Sequence, residues 1–290
     1  LGVLTGRNQH WHFRSWMELA KVYGLRAAFY FVPRKGSLLK YLLGVPDPFY
    51  EINSPRFREL FREIRSEGFE IALHASYLAY QSVEKFREEK ERLEEISGGQ
   101  TKLIQHHYWH LNPIDIEETL WMHERVGLVS DGSLTHDRFI GWRRGYSLPF
   151  FPFHQGFRRE LATLQVQTTW MDDQLFRNKK YNPGDSQAIL DGLVEQAAQQ
   201  GGCMSVAMHE YIFDDLLYPG WVKTFCKLLD SILARGDIWV ASPGEVAEYW
   251  YQRYRQIVQA SLGLELGRST DQRVCLPFDE SMFVHNSELV

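Results

Sequence analysis

One stretch decides the fold of this chain: Ser54-Pro-Arg-Phe-Arg-Glu-Leu-Phe-Arg-Glu-Ile-Arg-Ser-Glu-Gly-Phe-Glu-Ile-Ala-Leu-His74. Its Ser-Pro start predicts the beginning of a helix, because serine caps helices and proline is favoured at the first helical position. Apolar residues then recur at helical spacing as far as Gly68, which ends the helix. The apolar run that follows predicts a buried strand, and this strand leads directly into His74.

The same order of helix, glycine, strand and polar residue recurs along the chain. The other predicted strands are Leu25–Val32, Lys102–His106, Leu128–Ser130, Gln167–Met171, Cys203–Met208 and Asp237–Ala241. We also predict a helix that starts at Asn112-Pro113 and ends near Gly127. Such alternation indicates βα units and a mainly parallel sheet. The count of about seven strands is close to the roughly eight of a standard βα barrel, so we predict an α/β fold of that kind.

Polar residues follow five of the predicted strands: His74, His107, Asp131, the pair Asp172 and Asp173, and His209. If the strands are parallel, all of these positions fall on one rim of the sheet. That rim, at the carboxyl ends of the strands, is where α/β folds bind ligands and carry out chemistry. We therefore expect an active site there.

Each of these residues also has a purely structural interpretation. A single histidine at a strand end is more often a hydrogen-bonded structural residue than a ligand, and Asp131-Gly132 equally fits a turn. His106 should point to the opposite side of its strand from His107, so only one of the two is expected to reach the site. Arg143 and Arg144 could clamp a carboxylate, hold Asp131 by a charge-assisted bond, or equally form a pair exposed to solvent. We assign the following histidines to surface or packing roles: His10, His12, His110, His123, His154 and His285.

Composition excludes several classes of function. The 290 residues carry a formal net charge of −5 and 44% apolar residues, and we find no basic stripe that could bind nucleic acid. No run of about 18 uncharged apolar residues predicts a transmembrane helix. The cysteines at 203, 226 and 275 form no metal or disulfide pattern, which favours a reducing compartment, so we expect the cytoplasm rather than secretion.

The segment 134–160 interrupts the alternation of helices and strands. It is rich in aromatic residues, proline and glycine, and it is longer than usual for a βα connection. Long loops on the catalytic rim usually shape a binding cleft. After about residue 262 the periodicity is lost. We therefore expect a barrel domain over 1–262 and an irregular tail over 263–290.

Short motifs in this order resemble those of bacterial polysaccharide deacetylases, the chitooligosaccharide deacetylase homology group (carbohydrate esterase family 4-like). The matching segments are Ala27-Ala-Phe-Tyr-Phe31, Leu73-His-Ala-Ser-Tyr77, Gln105-His-His-Tyr108, Asp131-Gly-Ser133, Gly141-Trp-Arg-Arg-Gly145, Pro149-Phe150 and Met208-His209. Each is weak alone, but their order and spacing extend the resemblance from about Trp16 to about Trp250.

The resemblance implies a deformed (β/α)7–8 barrel that removes N-acetyl groups from an amino-sugar polymer or oligosaccharide. It implies a divalent metal, usually zinc, whose bound water attacks the amide carbon. Carried over to this chain, His74 and His107 are metal ligands and His209 is the general acid. Asp173 and Arg143 are expected to orient these groups. We predict that the sugar is bound by Tyr108, Trp142 and Tyr146.

The chain departs from the family pattern at two places. Ala75 and Leu78 stand where the second motif has its hydroxyl residue and its second histidine, which is why His107 is assigned as the other ligand. The family's first motif, a strand that ends in paired aspartates, is absent before the first helix. Because the sequence starts at Leu1 rather than Met, we expect this chain to begin after that strand.

Two other functions remain open from the sequence. The first is a carbohydrate-binding pseudoenzyme that keeps the aromatic cleft without the metal. The second is a glycosidase that uses Asp131 and Asp173 as its carboxylate pair. The sequence does not indicate the oligomeric state.

Overall fold

The computed structural model describes residues 11–136, 138–176 and 183–266. The strands are β1 (Ala28–Phe31), β2 (Glu70–Ala75), β3 (Leu103–His106), β4 (Ser130–Asp131), β5 (Phe153–His154), β6 (Arg159–Glu160), β7 (Leu164–Gln165), β8 (Thr168–Met171) and β9 (Ser205–Ala207). The α-helices are α1 (Phe13–Val22), α2 (Leu38–Leu42), α3 (Pro55–Ser66), α4 (Val83–Ser97), α5 (Ile116–Arg125), α6 (Asp172–Phe176), α7 (Pro183–Gln200), α8 (Trp221–Leu233) and α9 (Pro243–Leu266). Short 3-10 turns span Ala79–Gln81, His107–Trp109 and Glu210–Phe213.

Five parallel strands form the central sheet in the order β1-β2-β3-β4-β7. A second parallel pair, β8-β9, and a small antiparallel hairpin, β5-β6, complete the described strands. Helices α3, α4 and α5 connect successive strands of the central sheet, as the direction of parallel strands requires. The prediction of an α/β fold with mainly parallel strands is confirmed.

Successive side chains of β2 point alternately to the hydrophobic core and to the face that carries the candidate site. Ile71, Leu73 and Ala75 are buried in the main apolar cluster, while His74 points to the other face. His74 is paired in register with Gln105 of β3, so these two polar side chains share that face. The sheet therefore presents a polar inner surface toward β8-β9.

A polar bridge joins the two parallel sheets. The side-chain amide of Gln105 donates to Thr168 Oγ1 at 3.0 Å, and the Thr168 hydroxyl donates to the Gly132 carbonyl at 2.7 Å. All of these atoms are buried, so the bonds satisfy groups that water cannot reach. The bridge connects β8 to the central sheet although the backbones of the two sheets are not paired in the described chain.

The outer face of the central sheet packs on α3 and α4 through aromatic rings. Phe61 is fully buried, and its ring meets that of Phe31 edge to face with the centroids 4.8 Å apart. A second apolar cluster surrounds Trp170 of β8 and is closed by α7 and α8. The helices thus cover the sheets and leave the carboxyl ends of the strands for the site.

Three element predictions need correction. Asp237–Ala241 is not a strand, because Arg235 binds the Asp237 carboxylate and the segment has no ladder partner in the described residues. Helix α5 begins at Ile116 rather than at Asn112, since the Asn112 side chain accepts two backbone N–H bonds in a turn. Helix α9 continues to Leu266, past the expected start of the tail, and residues 267–290 lie outside the described residues.

None of the described helices combines the length and the apolarity that are needed to cross a membrane.

Replacing Phe61 with alanine should lower the free energy of unfolding by about 3–5 kcal/mol, because it removes a ring from a fully buried site. Urea denaturation followed by circular dichroism measures this change. Ile114→Ala is the control, since its side chain is almost fully exposed, and it should change stability by less than about 0.5 kcal/mol. Equal effects of the two substitutions would contradict the assignment of Phe61 to the core.

Candidate active site at the carboxyl ends of the strands

His74 is fixed on the inner face of the sheet by one hydrogen bond. Its Nδ1 lies 3.1 Å from the carbonyl oxygen of Gln105. A carbonyl can only accept, so Nδ1 carries the proton and Nε2 keeps its lone pair. Burial lowers the pKa of His74 well below the ordinary value of imidazole, and charge on His107 or His209 would lower it further. His74 is therefore a neutral imidazole with an available nitrogen at physiological pH.

His107 lies directly after β3 and faces His74. The two ring centroids are 5.1 Å apart and the rings are inclined by 68°. His107 Nδ1 lies 3.3 Å from Oδ1 of the buried Asp47, and the same oxygen accepts the backbone N–H of Tyr77 at 2.8 Å. Asp47 thus holds both the His107 ring and the turn after β2.

The turn that carries His107 has an unusual backbone. Tyr108 and Trp109 have φ angles of 55° and 54°, in the left-handed region that side chains other than glycine rarely adopt. Such conformations cost free energy and are concentrated at functional sites. Here the turn directs His107 inward and leaves the Tyr108 ring 64% exposed beside it, with ring centroids 4.7 Å apart.

His209 and Asp172 form a pair on the second sheet, in which Asp172 is fully buried and the His209 side chain is 42% exposed. They follow β9 and β8, and because these strands are parallel neighbours, their carboxyl ends meet. Asp172 Oδ1 lies 2.8 Å from His209 Nδ1, and Oδ2 accepts the His209 backbone N–H at 2.8 Å. Burial opposes the charged form of His209, but the hydrogen bond and charge of Asp172 outweigh it and raise the pKa of His209 above its ordinary value.

Three imidazoles therefore share one arrangement. In His74, His107 and His209, Nδ1 is engaged by an oxygen acceptor, while Nε2 has no hydrogen-bond partner among the described residues. Anchoring of one ring nitrogen by a carbonyl or carboxylate is the usual way to orient a histidine that binds metal or transfers protons.

The His74–His107 pair fits two positions of a metal site. Imidazoles that share a zinc ion at nitrogen distances of ~2.0–2.1 Å have ring centres about 5 Å apart, which agrees with the observed separation. A catalytic metal needs further protein ligands. Among the described residues, no group of three or more His, Cys, Asp or Glu side chains has metal-binding geometry, so the fit is limited to these two nitrogens.

Asp131 lies on the other face of the sheet, away from this group. Its carboxylate is fully buried, accepts bonds from the backbone and hydroxyl of Ser133, and lies 3.5 Å from His123 Nδ1. His123 Nε2 in turn is 2.8 Å from His106 Nε2. The prediction that His106 and His107 point to opposite sides is confirmed, and both His106 and His123 have packing roles.

This position of Asp131 corrects two sequence-based hypotheses. The Asp131 carboxylate accepts from Ser133 and lies beside His123, whereas the Arg143 guanidinium donates to the Thr135 carbonyl at 3.3 Å, so of the alternatives for Arg143 the bond to Asp131 is not the one observed. A fully buried carboxylate also cannot pair with Asp173 in an open cleft, which removes the glycosidase arrangement.

The three residues that were predicted to bind sugar lie in three different environments. Trp142 is buried, and its indole N–H donates to the Cys203 carbonyl at 2.8 Å, so it supports the 134–160 loop and offers no face to a ligand. Tyr146 is partly exposed and packs on Phe150 within the same loop. Only Tyr108 of the three is exposed directly beside a site histidine.

Asp47 is a residue of the candidate site that the sequence analysis missed, and Asp172 was named there only as one of a pair. Asp47 lies in the βα loop after β1, where no periodicity predicts which side chain turns inward. The sequence did signal an acid after β8, but it could not distinguish Asp172, which holds His209, from Asp173, which accepts the Tyr211 hydroxyl at 3.3 Å.

Comparison with solved structures agrees with this architecture. A protein of Mycobacterium smegmatis assigned as a polysaccharide deacetylase superposes with a TM-score of 0.60 at 15% identity, over 84% of this chain and 78% of its own. A corresponding protein of Pseudomonas aeruginosa PAO1 gives 0.55 at 14% identity, over 83% and 73% of the two chains. This chain has the fold of those deacetylases.

The same deacetylase fold extends to another hydrolase. The Puue allantoinase superposes with a TM-score of 0.56 at 13% identity, over 86% of this chain and 76% of its own. Identities this low establish a shared fold and nothing finer. Neither the models of known protein families nor the sequences of curated proteins match the chain.

Replacing Asp172 with asparagine should lower the pKa of His209, because the negative charge that stabilises the imidazolium is removed. Titration of the His209 ring protons by NMR measures the shift. Asp115→Asn is the matched control: it removes the same charge from an exposed helix cap, where asparagine caps equally well. An unchanged His209 pKa in Asp172→Asn would contradict the proposed pairing.

Proposed function

We propose that this protein is a hydrolase that removes N-acetyl groups from an amino-sugar polymer or oligosaccharide. The observation that carries the proposal is the trio of anchored imidazoles at the carboxyl ends of the strands, in a chain with the deacetylase fold. Amide hydrolysis requires a polarised carbonyl and a proton for the departing amine. The three rings divide these tasks between them.

His74 and His107 are the residues that would hold a divalent cation, probed first as zinc. Both keep Nε2 available, and the low pKa of His74 keeps its nitrogen unprotonated, as a ligand must be. When bound, such a cation polarises an amide carbonyl and lowers the pKa of a water molecule. Asp47 supports the ligand role of His107, since a carboxylate on the second ring nitrogen fixes the ring and increases its basicity.

His209 is suited to donate a proton to the amine that leaves. Its raised pKa extends the pH range over which the ring is protonated, and Asp172 fixes the proton on Nδ1 so that Nε2 is left for the substrate. Asp173 and Tyr211 border this pair, and the Tyr211 ring stacks on His209 with centroids 4.6 Å apart. Deprotonation of His209 at high pH would then stop the reaction.

Tyr108 supplies a surface for the sugar. Its ring is exposed next to His107, and Tyr77 and His110 stack behind it with centroids 3.8 Å apart. The C–H face of a pyranose ring is apolar and packs well on an aromatic ring. The rigid turn at Tyr108 and Trp109 would hold this platform in place before substrate arrives.

His74→Ala and His107→Ala should each abolish zinc binding in calorimetry and reduce acetate release from chitin oligosaccharides by about a hundredfold or more. His12→Ala is the control, because His12 precedes α1 and packs on Phe213. A protein that binds oligosaccharide but binds no zinc and releases no acetate would be the carbohydrate-binding pseudoenzyme, and the hydrolase proposal would fail.

Tyr108→Ala should raise the KM for an oligosaccharide by about tenfold with little change in kcat, since the ring binds sugar without touching the reacting atoms. Steady-state kinetics of acetate release separate the two constants. Trp239→Ala removes another exposed ring, one that packs on Tyr249, and should leave both constants unchanged. A loss confined to kcat would assign Tyr108 to the chemical step instead.

A further inference from the structure

The loop between β1 and α3 carries an exposed apolar surface. Helix α2 has no buried residue, and large side chains protrude along it and just beyond. The exposed apolar patch consists of Leu38, Leu39, Tyr41, Leu42, Leu43 and Phe49. Leu42 and Leu43 are each 74% exposed, and the rings of Tyr41 and Phe49 lie with their centroids 6.1 Å apart, so the two ends of the patch adjoin.

This surface is built by the fold although nothing in the described chain packs on it. A five-residue helix is unstable by itself in water. Here the Ser37 hydroxyl caps its start, and Val45 donates to the Lys40 carbonyl at 2.9 Å to close its end. Gly36 donates to the Pro48 carbonyl at 2.7 Å, which pins the two legs of the loop together.

The segment that carries most of the patch, residues 33–46, is basic. Arg34, Lys35 and Lys40 are exposed, and residues 33–46 contain no Asp or Glu, although the chain as a whole has a net charge of −5. Within the described residues, neither Lys35 nor Lys40 forms an ion pair. Leucines with a tyrosine and flanking lysines are the composition of segments that lie at the boundary between water and lipid.

We infer that the apolar patch docks on the surface of a lipid bilayer that contains anionic lipids. The leucines would enter the acyl boundary, while Lys35 and Lys40 would reach back to the headgroup phosphates. A second copy of the chain fits less well, because a symmetric contact would bring the two basic sets against each other.

The base of the same loop reaches the candidate active site. Asp47 lies between Pro46 and Pro48, and its backbone carbonyl passes so close to Gly36 that a methyl group there would come within 2.1 Å. Its side chain holds His107. Docking through α2 would therefore place the site close to the membrane surface, where the protein meets amino sugars attached to lipid or lying at the cell envelope.

Vesicle sedimentation tests the inference with the whole protein. The probes are vesicles of equimolar phosphatidylglycerol and phosphatidylcholine, and vesicles of phosphatidylcholine alone. The protein should bind the first and much less the second, and Leu42→Asp should lower the partition coefficient about tenfold. Val22→Asp is the matched control: it places the same charge on an 81% exposed apolar residue at the end of α1, a helix that precedes β1, whereas α2 follows β1.

The outcomes are distinct. Binding that falls with added salt and with Leu42→Asp, but not with Val22→Asp, supports the inference. It is overturned by absence of vesicle binding, by equal effects of the two variants, or by self-association that Leu42→Asp abolishes while vesicles stay unbound. Vesicle binding requires no turnover, so the two proposals are tested independently. A protein that binds no vesicles could still be a hydrolase, and an inactive protein could still bind vesicles.

Discussion

The hydrogen bond from His74 Nδ1 to the Gln105 carbonyl is the interaction on which the site depends. It exists because β2 and β3 are parallel and pair His74 with Gln105 in register. The same bond fixes the imidazole tautomer, turns Nε2 toward the interior and holds the ring opposite His107. A shift of one residue between these strands would move His74 to the helix-covered face. The register of β2 against β3 therefore decides whether His74 can take part in the site.

The two neighbouring histidines at the end of β3 lie on opposite faces of the sheet, one in the core and one at the candidate site. His106 turns to the core and joins His123 and Asp131 in a buried polar network. His107 turns to the site and is held by Asp47. Burial lowers the pKa of His106 to about 3, so it stays uncharged while it fills space among apolar side chains. The adjacent ring remains open to a ligand.

Much of this was predictable from the sequence, and the failures have physical causes. Glycine stops and apolar runs predicted the parallel strands, and the period of two predicted that His106 and His107 diverge. The run Asp237–Ala241 looked like a strand because its residues are apolar, but a strand also requires a neighbour with free ladder groups, which local sequence does not reveal. Asp47 was missed because it lies in a loop, where the direction of a side chain is set by contacts distant in sequence.

The polar bridge from Gln105 through Thr168 to Gly132 has a mechanical consequence. His74 and His107 follow strands of the central sheet and His209 follows β9, so the distance between the first two rings and the third depends on how the two sheets are held together. In addition to the short connection from β7 to β8, the Thr168 hydroxyl links the two sheets through its bonds with Gln105 and Gly132. Without this hydroxyl the two sheets would be held together less firmly, and the distance between the His74–His107 pair and His209 would vary more.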